Sequence, residues 1–150
     1  MINHILTTNH ILFKANIVPS PLCVLCNAER ETIIHSIWEC QEVQKLLQSF
    51  EFHLEALPIP FVITKAIFIF GNLDKSNIYY RVDNEIIIII KQYIYKTRFL
   101  HNSLHISALI NTIRDNYTTQ RYISRGKGHV TLERFDKDWT KWKRLIVLTE

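Results

Sequence analysis

The chain has 150 residues, of which 47% are hydrophobic and 21% charged, a balance that favours a folded core and excludes a disordered chain. Apolar runs such as Ile86–Ile90 are far too short to span a bilayer, and the polar N-terminus lacks the basic start of a signal peptide. We therefore expect one domain or two small subdomains, neither secreted nor bound to a membrane, in the nucleus or the cytoplasm.

The net charge of +4 is unevenly distributed. Residues 1–90 carry six Lys and Arg against nine Asp and Glu, a net charge of −3, whereas residues 91–150 carry twelve against five, a net charge of +7. A basic half favours a polyanionic partner, RNA or DNA before a membrane. An ordinary solvated basic surface is the alternative.

The first sixteen residues show a loose helical pattern, which Pro19 and Pro21 end. Because no capping residue leads into this pattern, we expect the chain to continue a segment that lies upstream of it.

All three cysteines fall in a segment C-x2-C-x8-H-x4-C, formed by Cys23, Cys26, His35 and Cys40. A Cys-x-x-Cys pair lets one tight hairpin direct two sulfurs at a single point, and a His and a Cys on a short helix can supply the other corners of a tetrahedron. Zn²⁺ prefers this Cys₃His set, and four protein ligands leave no open position for a substrate. The segment predicts a structural zinc site whose binding energy, on the order of 10 kcal/mol, contributes to folding.

The spacing between His35 and Cys40 constrains the helix between them. On an unbroken helix, at about 100° and 1.5 Å per residue, Cys40 would lie well round the axis from His35 and well above it. We therefore predict that this helix, for which Thr32 is a good N-cap, ends or loosens near Glu39.

Other interpretations of the cysteines are weaker. A disulfide leaves one thiol unpaired in a chain without a secretion signal, and a thioredoxin-type redox pair requires a βαβ setting that is missing here. A coincidental cluster is the third alternative, although three sulfurs and an imidazole fall within residues 23–40.

Three helices are predicted between the metal segment and the basic end of the chain. Residues 43–57 repeat apolar side chains at helical spacing and stop before a proline. Residues 61–71 suit a strand or a short buried helix, and the glycine stop favours helix. Residues 84–101 include five consecutive isoleucines, which favour a strand, but the Asp83-Asn84 start signal and the length of the segment predict a buried helix.

Two more helical patterns follow. Residues 104–125 are apolar on one side, and Gly126 and Gly128 end the pattern. The last one is an apolar seam formed by Leu132, Phe135, Trp139, Trp142 and Ile146. Its opposite side carries Arg134, Lys137, Asp138, Lys141 and Arg144. The seam predicts core or a docking face toward another domain, and base stacking by its tryptophans is the alternative.

These patterns predict a mainly α protein. A small CCHC zinc module, made of a short hairpin or knuckle and a helix, is followed by a bundle of about four to five helices. The predicted division is residues 1–57, with the N-terminal helix, the zinc module and its following helix, and residues 58–150, the basic helical subdomain.

One face of the isoleucine-rich helix is a candidate nucleic-acid surface. Lys91, Tyr95 and Arg98 form a stripe, with Lys96 beside it. A basic stripe interrupted by an aromatic ring suits phosphates and stacked bases. A solvated outer face is the equally open alternative.

No enzyme constellation is found. A nucleophile elbow, a phosphate-binding loop and a zinc-protease motif are absent from the sequence. His101 and His105 are spaced as metal ligands on a helix but have no third ligand nearby. We expect no small-molecule substrate.

Several short runs of residues are similar to one family of proteins. They are residues 2–9 and 12–14, Ser20-Pro21-Leu22-Cys23 with Cys26, and Glu31-Thr32-Ile33 with His35, Trp38 and Cys40. Downstream they are Ile69-Phe70-Gly71, the Lys91–Arg98 segment, Tyr122-Ile123-Ser124, and Lys137 with Trp139. The chain resembles the zinc-binding region near the C-terminus of LINE-type (non-LTR) retrotransposon reverse transcriptases. Ser36 and Ile37 replace the family's usual Leu-Phe, which leaves the ligands unchanged.

The resemblance implies a role without catalysis. The parent polyprotein is an RNA-directed DNA polymerase, but this chain resembles only its tail and contains neither the catalytic palm nor the endonuclease. In the family this region is thought to help hold template RNA and target DNA during target-primed reverse transcription, and Cys23, Cys26, His35 and Cys40 match its zinc ligands. We expect a nucleic-acid-associated zinc module, a fragment or remnant of such a protein. The alternative is a zinc-stabilised interaction module that docks on a polymerase core or another chain.

Overall fold

The prediction of a mainly helical protein is confirmed. A computed structural model describes residues 7–55 and 61–147, and within these ranges the chain forms seven α-helices and no β-strand. They are α1 (Asn9–Lys14), α2 (Gln41–Leu54), α3 (Lys65–Phe70), α4 (Tyr80–Phe99), α5 (Ile106–Gly126), α6 (His129–Asp138) and α7 (Lys143–Val147). A π-helical turn covers His35–Glu39 and a 3₁₀ turn covers Thr140–Trp142. No helix among the described residues combines the length and the apolar character needed to cross a membrane.

The chain divides into two compact units. The first is the described part of Met1–Leu47 with Ile94–Leu104, and the second is the described part of Gln48–Tyr93 with His105–Glu150. This division differs from the predicted one at residue 57, because α2 and α4 each contribute residues to both units.

Helix α2 buries the stripe that its periodicity predicted. Val43 and Phe50 are fully buried, and Leu46, Leu47 and Leu54 are 3–5% exposed. Leu57 and the prolines beyond it lie outside the described residues.

The isoleucine run of α4 is helical, as predicted, although the helix starts at Tyr80 and not at residue 84. Ile86, Ile87, Ile89 and Ile90 are at most 2% exposed, whereas Ile88 is 52% exposed. Because side chains advance by about 100° per residue in a helix, four buried positions in five require a helix covered over most of its circumference. Burial therefore outweighs the strand propensity of isoleucine.

The segment at residues 61–71 is a helix only in its second half. Thr64 caps α3 by accepting the backbone N–H of Ile67, and residues 61–64 are irregular. Gly71 ends the helix at φ +87°, where a Cβ would lie 2.9 Å from Oδ1 of Asn84. The Asn84 amide occupies that space because it bonds the backbone N–H and C=O of Asn72.

The C-terminal seam packs inside the second unit. The Trp142 ring stacks on Phe50 at a centroid distance of 6.5 Å and meets the edge of Phe61 at 5.3 Å. Trp139 packs against Tyr117 at 5.2 Å and Phe135 at 5.7 Å. Both tryptophans are at most 1% exposed, so they are core residues of this unit.

The prediction that Lys141 lies on the polar side of this helix is wrong. Lys141 is 1% exposed, and its Nζ lies 3.0 and 3.1 Å from the two carboxylate oxygens of Asp83, which also accepts Nε1–H of Trp142 at 3.0 Å. The prediction treats residues 132–146 as one continuous helix, but α6 ends at Asp138 and the 3₁₀ turn follows. A 3₁₀ turn advances about 120° per residue, which changes the face that later side chains occupy.

Candidate metal centre

A short turn places the first two cysteines. Leu22 and Arg30 form an isolated antiparallel bridge, and Cys23 N–H donates to Glu29 O at 2.8 Å. The turn closes where Asn27 N–H donates to Cys23 O at 2.8 Å, with Asn27 at φ 53°. Asn tolerates this left-handed conformation better than most residues, so the local sequence suits the turn.

A π-helical turn places the other two ligands. Thr32 Oγ1 accepts His35 N–H at 3.1 Å, which confirms the predicted N-cap. Cys40 N–H donates to His35 O at 2.8 Å, a bond that spans five residues, and Cys40 is extended at φ −61° and ψ 129°. The expected loosening near Glu39 is thus confirmed as one wide turn that ends where α2 begins.

The four predicted ligands converge. One ligand atom from each of Cys23, Cys26, His35 and Cys40 lies within 4.8 Å of all the others. Sγ of Cys23 lies 3.8 Å from Sγ of Cys40, and Sγ of Cys26 lies 3.4 Å from Nε2 of His35. Tetrahedral zinc with bonds of about 2.3 Å to sulfur and 2.0 Å to nitrogen would space two sulfurs by about 3.8 Å and a sulfur and a nitrogen by about 3.5 Å. The cluster could hold a metal ion, and its dimensions are compatible with zinc.

Backbone N–H groups surround two of the sulfurs. The N–H groups of Cys26 and Leu25 point at Cys23, and those of Val43 and Glu42, in the first turn of α2, point at Cys40. Such donors stabilise a thiolate, which is the form that binds a metal.

The two buried thiols share a hydrogen bond. Donation from Cys23 lowers the pKa of Cys40, and the N–H groups of α2 act in the same direction. The same bond, together with burial, raises the pKa of Cys23. Of the two thiols, Cys40 is therefore the one whose surroundings favour the thiolate, because it lies next to the N-terminus of α2.

A buried carboxylate that was not among the predicted site residues holds the turn in place through a hydrogen bond to its backbone. Glu31 is fully buried, and its Oε2 accepts Val24 N–H at 3.1 Å, between the first two ligands. Its Oε1 accepts Asn9 N–H at 2.7 Å and also pairs with the guanidinium of Arg98, which donates to Thr7 O at 2.7 Å. No local pattern marks Glu31, because its partner lies 67 residues away.

The predicted nucleic-acid stripe on α4 does not present four free side chains. Arg98 is 5% exposed and bonded inside the first unit, with its guanidinium 5.0 Å from the half-buried Tyr95 ring. Lys91 is half-buried, and its Nζ donates to Ile69 O at 3.0 Å and lies 5.5 Å from the Phe68 ring centre. Burial lowers the pKa of Lys91. Of the three predicted cations, Lys96 alone is exposed.

The remaining histidines form no comparable site within the described ranges. The Cys₃His cluster is the one group of three or more Cys, His, Asp or Glu side chains placed to hold a metal ion there. His101 and His105 are both exposed and belong to no such group.

Comparison of the chain with family models, with curated proteins and with solved structures gave no match.

Proposed function

We propose that this protein is a zinc-binding, nucleic-acid-associated module without catalytic activity, similar to the tail of a non-LTR retrotransposon reverse transcriptase. The observation that carries the proposal is the convergence of Cys23, Cys26, His35 and Cys40 within 4.8 Å. Thiolate and imidazole ligands in this number favour Zn²⁺ over the oxygen-seeking cations.

The role assigned to the metal is structural. Four protein ligands fill a tetrahedral zinc shell, so no position is left for water or substrate. Cys23 and Cys40 are fully buried and His35 is 6% exposed, which suits a closed site. The ion would tie the 22–30 turn to the start of α2, in addition to the hydrogen bonds that close the turn and the one that Glu31 accepts from it.

The nucleic-acid part of the proposal rests on charge and on the resemblance. Residues 91–150 carry a net charge of +7, which favours a polyanion. In the family that the chain resembles, the corresponding region is thought to hold template RNA and target DNA. Both nucleic acids are candidates, and a reverse transcriptase core is a candidate protein partner.

Docking through the C-terminal seam, the alternative role, has less support. Trp139 and Trp142 are at most 1% exposed and pack within the second unit, so they are not available to a partner.

Metal analysis tests the first half of the proposal. Protein purified under reducing conditions should carry one zinc per chain by native mass spectrometry and elemental analysis. Cys40→Ser and His35→Ala should lose it, whereas His105→Ala, at an exposed histidine outside the cluster, should keep it. Reduced protein without stoichiometric metal would overturn the zinc assignment.

Fluorescence-polarisation titrations test the second half. Single-stranded RNA, single-stranded DNA and duplex DNA should be compared between about 50 and 200 mM salt, a range over which phosphate contacts weaken strongly. We expect salt-sensitive binding to at least one of them. Lack of salt-sensitive binding to all three would refute nucleic-acid association and leave the zinc site untouched.

A further inference from the structure

We infer that a basic groove between α5, α6 and α7 binds single-stranded nucleic acid. The inference rests on the nucleic-acid association proposed above and assigns it a site. The groove has a volume of about 360 Å³. Its lining includes Tyr117, Arg121, Tyr122, Arg125, Asp136 and Lys143, which define the α5–α7 groove.

The groove has an excess of positive charge. Its lining includes three cations and one carboxylate. The carboxylate is neutralised by Arg121, whose Nε lies 2.9 Å from Oδ1 of Asp136 and whose Nη2 lies 3.1 Å from Oδ2. This pairing lowers the pKa of Asp136. Arg125, which is exposed, and Lys143, which is half-buried, form no ion pair within the described part of the chain. Two cations are thus available to phosphate oxygens.

An exposed aromatic ring lies beside these cations. Tyr122 is 79% exposed on α5, and Arg125 is one helical turn further on, so the ring and the guanidinium share one side of the helix. Tyr117 lies deeper and is fixed by its contacts with Phe135 at 5.4 Å and Trp139 at 5.2 Å. Proteins that bind single strands combine aromatic rings, on which bases stack, with cations that contact the backbone phosphates. The groove offers both, in the exposed Tyr122 ring beside the fixed Tyr117 ring and in the cations Arg125 and Lys143.

A single strand fits this arrangement better than a duplex. A ring can stack on a base only where the base is unstacked, and the bases of a duplex are covered by their neighbours. The groove is also more accessible than the predicted stripe on α4, where Arg98 is committed to Glu31.

Two groups of variants test the groove in the full chain. Arg125→Gln with Lys143→Gln removes two phosphate contacts, so affinity for a single-stranded oligonucleotide should fall about tenfold or more and the salt slope should become shallower by about 1.4, or 0.7 per contact. Lys14→Gln with Lys75→Gln removes the same charge at exposed sites outside the groove and should change affinity by less than about threefold.

Substitutions of Tyr122 test base stacking separately from phosphate contact. Tyr122→Ala should weaken binding about tenfold with an unchanged salt slope, whereas Tyr122→Phe, which keeps the ring, should bind like the unmodified protein. Circular dichroism and zinc content should show that each variant is folded.

The outcomes separate the groove from the broader proposal. Binding by the unmodified protein that survives in both the charge variant and Tyr122→Ala would overturn the groove alone. Duplex DNA bound more tightly than either single strand, with no effect of Tyr122→Ala, would overturn the single-strand assignment. No binding by the unmodified protein would overturn the proposed nucleic-acid function together with the groove.

Discussion

The guanidinium of Arg98 pairs with the carboxylate of Glu31, and both side chains are buried. The same carboxylate accepts the backbone N–H of Val24, inside the Cys-x-x-Cys turn. Through one side chain, the end of α4 therefore supports the backbone that positions two metal ligands. A cation that the sequence pattern predicted as a nucleic-acid contact thus has a structural role within the first unit.

Removing either partner of this pair should destabilise the protein strongly. Arg98→Met or Glu31→Gln leaves one charge buried and unpaired, which costs about 3–5 kcal/mol of unfolding free energy. Urea unfolding monitored by circular dichroism measures this cost, and zinc affinity should fall in parallel because the 22–30 turn loses its support. Lys96→Met, at an exposed position on α4, should change stability by less than about 0.5 kcal/mol. Equal stability of Arg98→Met and Lys96→Met would show that the pair contributes nothing.

Metal removal should unfold the first unit selectively. If the Cys₃His cluster holds zinc, its binding energy is folding energy for the 22–40 segment, because the ligands come both from the turn and from the residues that lead into α2. A strong chelator should increase hydrogen exchange across residues 21–47 before the isoleucine segment of α4 exchanges. Zinc added back should restore protection, and magnesium should not, since thiolates do not favour it. Identical exchange patterns with and without chelator would contradict a structural metal.

Local features of this protein were predictable because local chemistry determines them. The helical spacing of Val43, Leu46, Leu47 and Phe50 predicts the buried face of α2. The five-residue spacing between His35 and Cys40 predicts the wide turn, because a regular helix would separate the two ligands.

Long-range pairs were not predictable in the same way. Glu31 and Arg98 are 67 residues apart, and Asp83 and Lys141 are 58 apart. Arg98 and Lys141 were predicted on outer helix faces, and Asp83 as a helix start signal, because a charged side chain in a helical pattern is usually exposed. No role was predicted for Glu31. Only the tertiary structure shows which charges meet in the interior, and the break between α6 and α7 alters the face on which Lys141 lies.

Breaking the buried Asp83–Lys141 pair of the second unit should cost about as much stability as breaking the Glu31–Arg98 pair of the first. Lys141 Nζ lies 3.0 Å from Asp83 Oδ1 and 4.7 Å from the ring centre of Phe61, so its charge is enclosed by a carboxylate and aromatic faces. Lys141→Met should lower the free energy of unfolding by about 3–5 kcal/mol, because it leaves the Asp83 carboxylate buried without its cation. The fluorescence of Trp142, whose Nε1–H donates to that carboxylate, should also change.

The matched control for this pair is Lys137→Met. Lys137 is exposed on α6, close in sequence to Lys141, and its loss should leave both stability and tryptophan fluorescence near those of the unmodified protein. Asp83→Asn combined with Lys141→Met removes both charges and should recover part of the stability lost in the single variant. A double variant whose loss of stability equals or exceeds the sum of the two single losses would contradict direct pairing.

Glu85 should give the second unit a pH-dependent contribution of the opposite sign to that of an ordinary paired carboxylate. Burial raises the pKa of Glu85 above its value in an unfolded chain, and the hydrogen bond from Gln120 only partly opposes this. A raised carboxyl pKa means that the folded state holds its proton more tightly, so this group favours folding below the unfolded pKa and loses that contribution as pH rises through the folded pKa. Glu85→Gln, which keeps an acceptor for Gln120, should therefore be more stable than the unmodified protein at pH 7. The difference should shrink as pH falls from 7 through the raised folded pKa, and it should be smallest near pH 4, below the unfolded pKa of about 4.3, where the carboxyl is mostly neutral in both states. Urea unfolding of both proteins between pH 4 and pH 7 measures it, and a gap that widens toward acid pH would contradict the assignment.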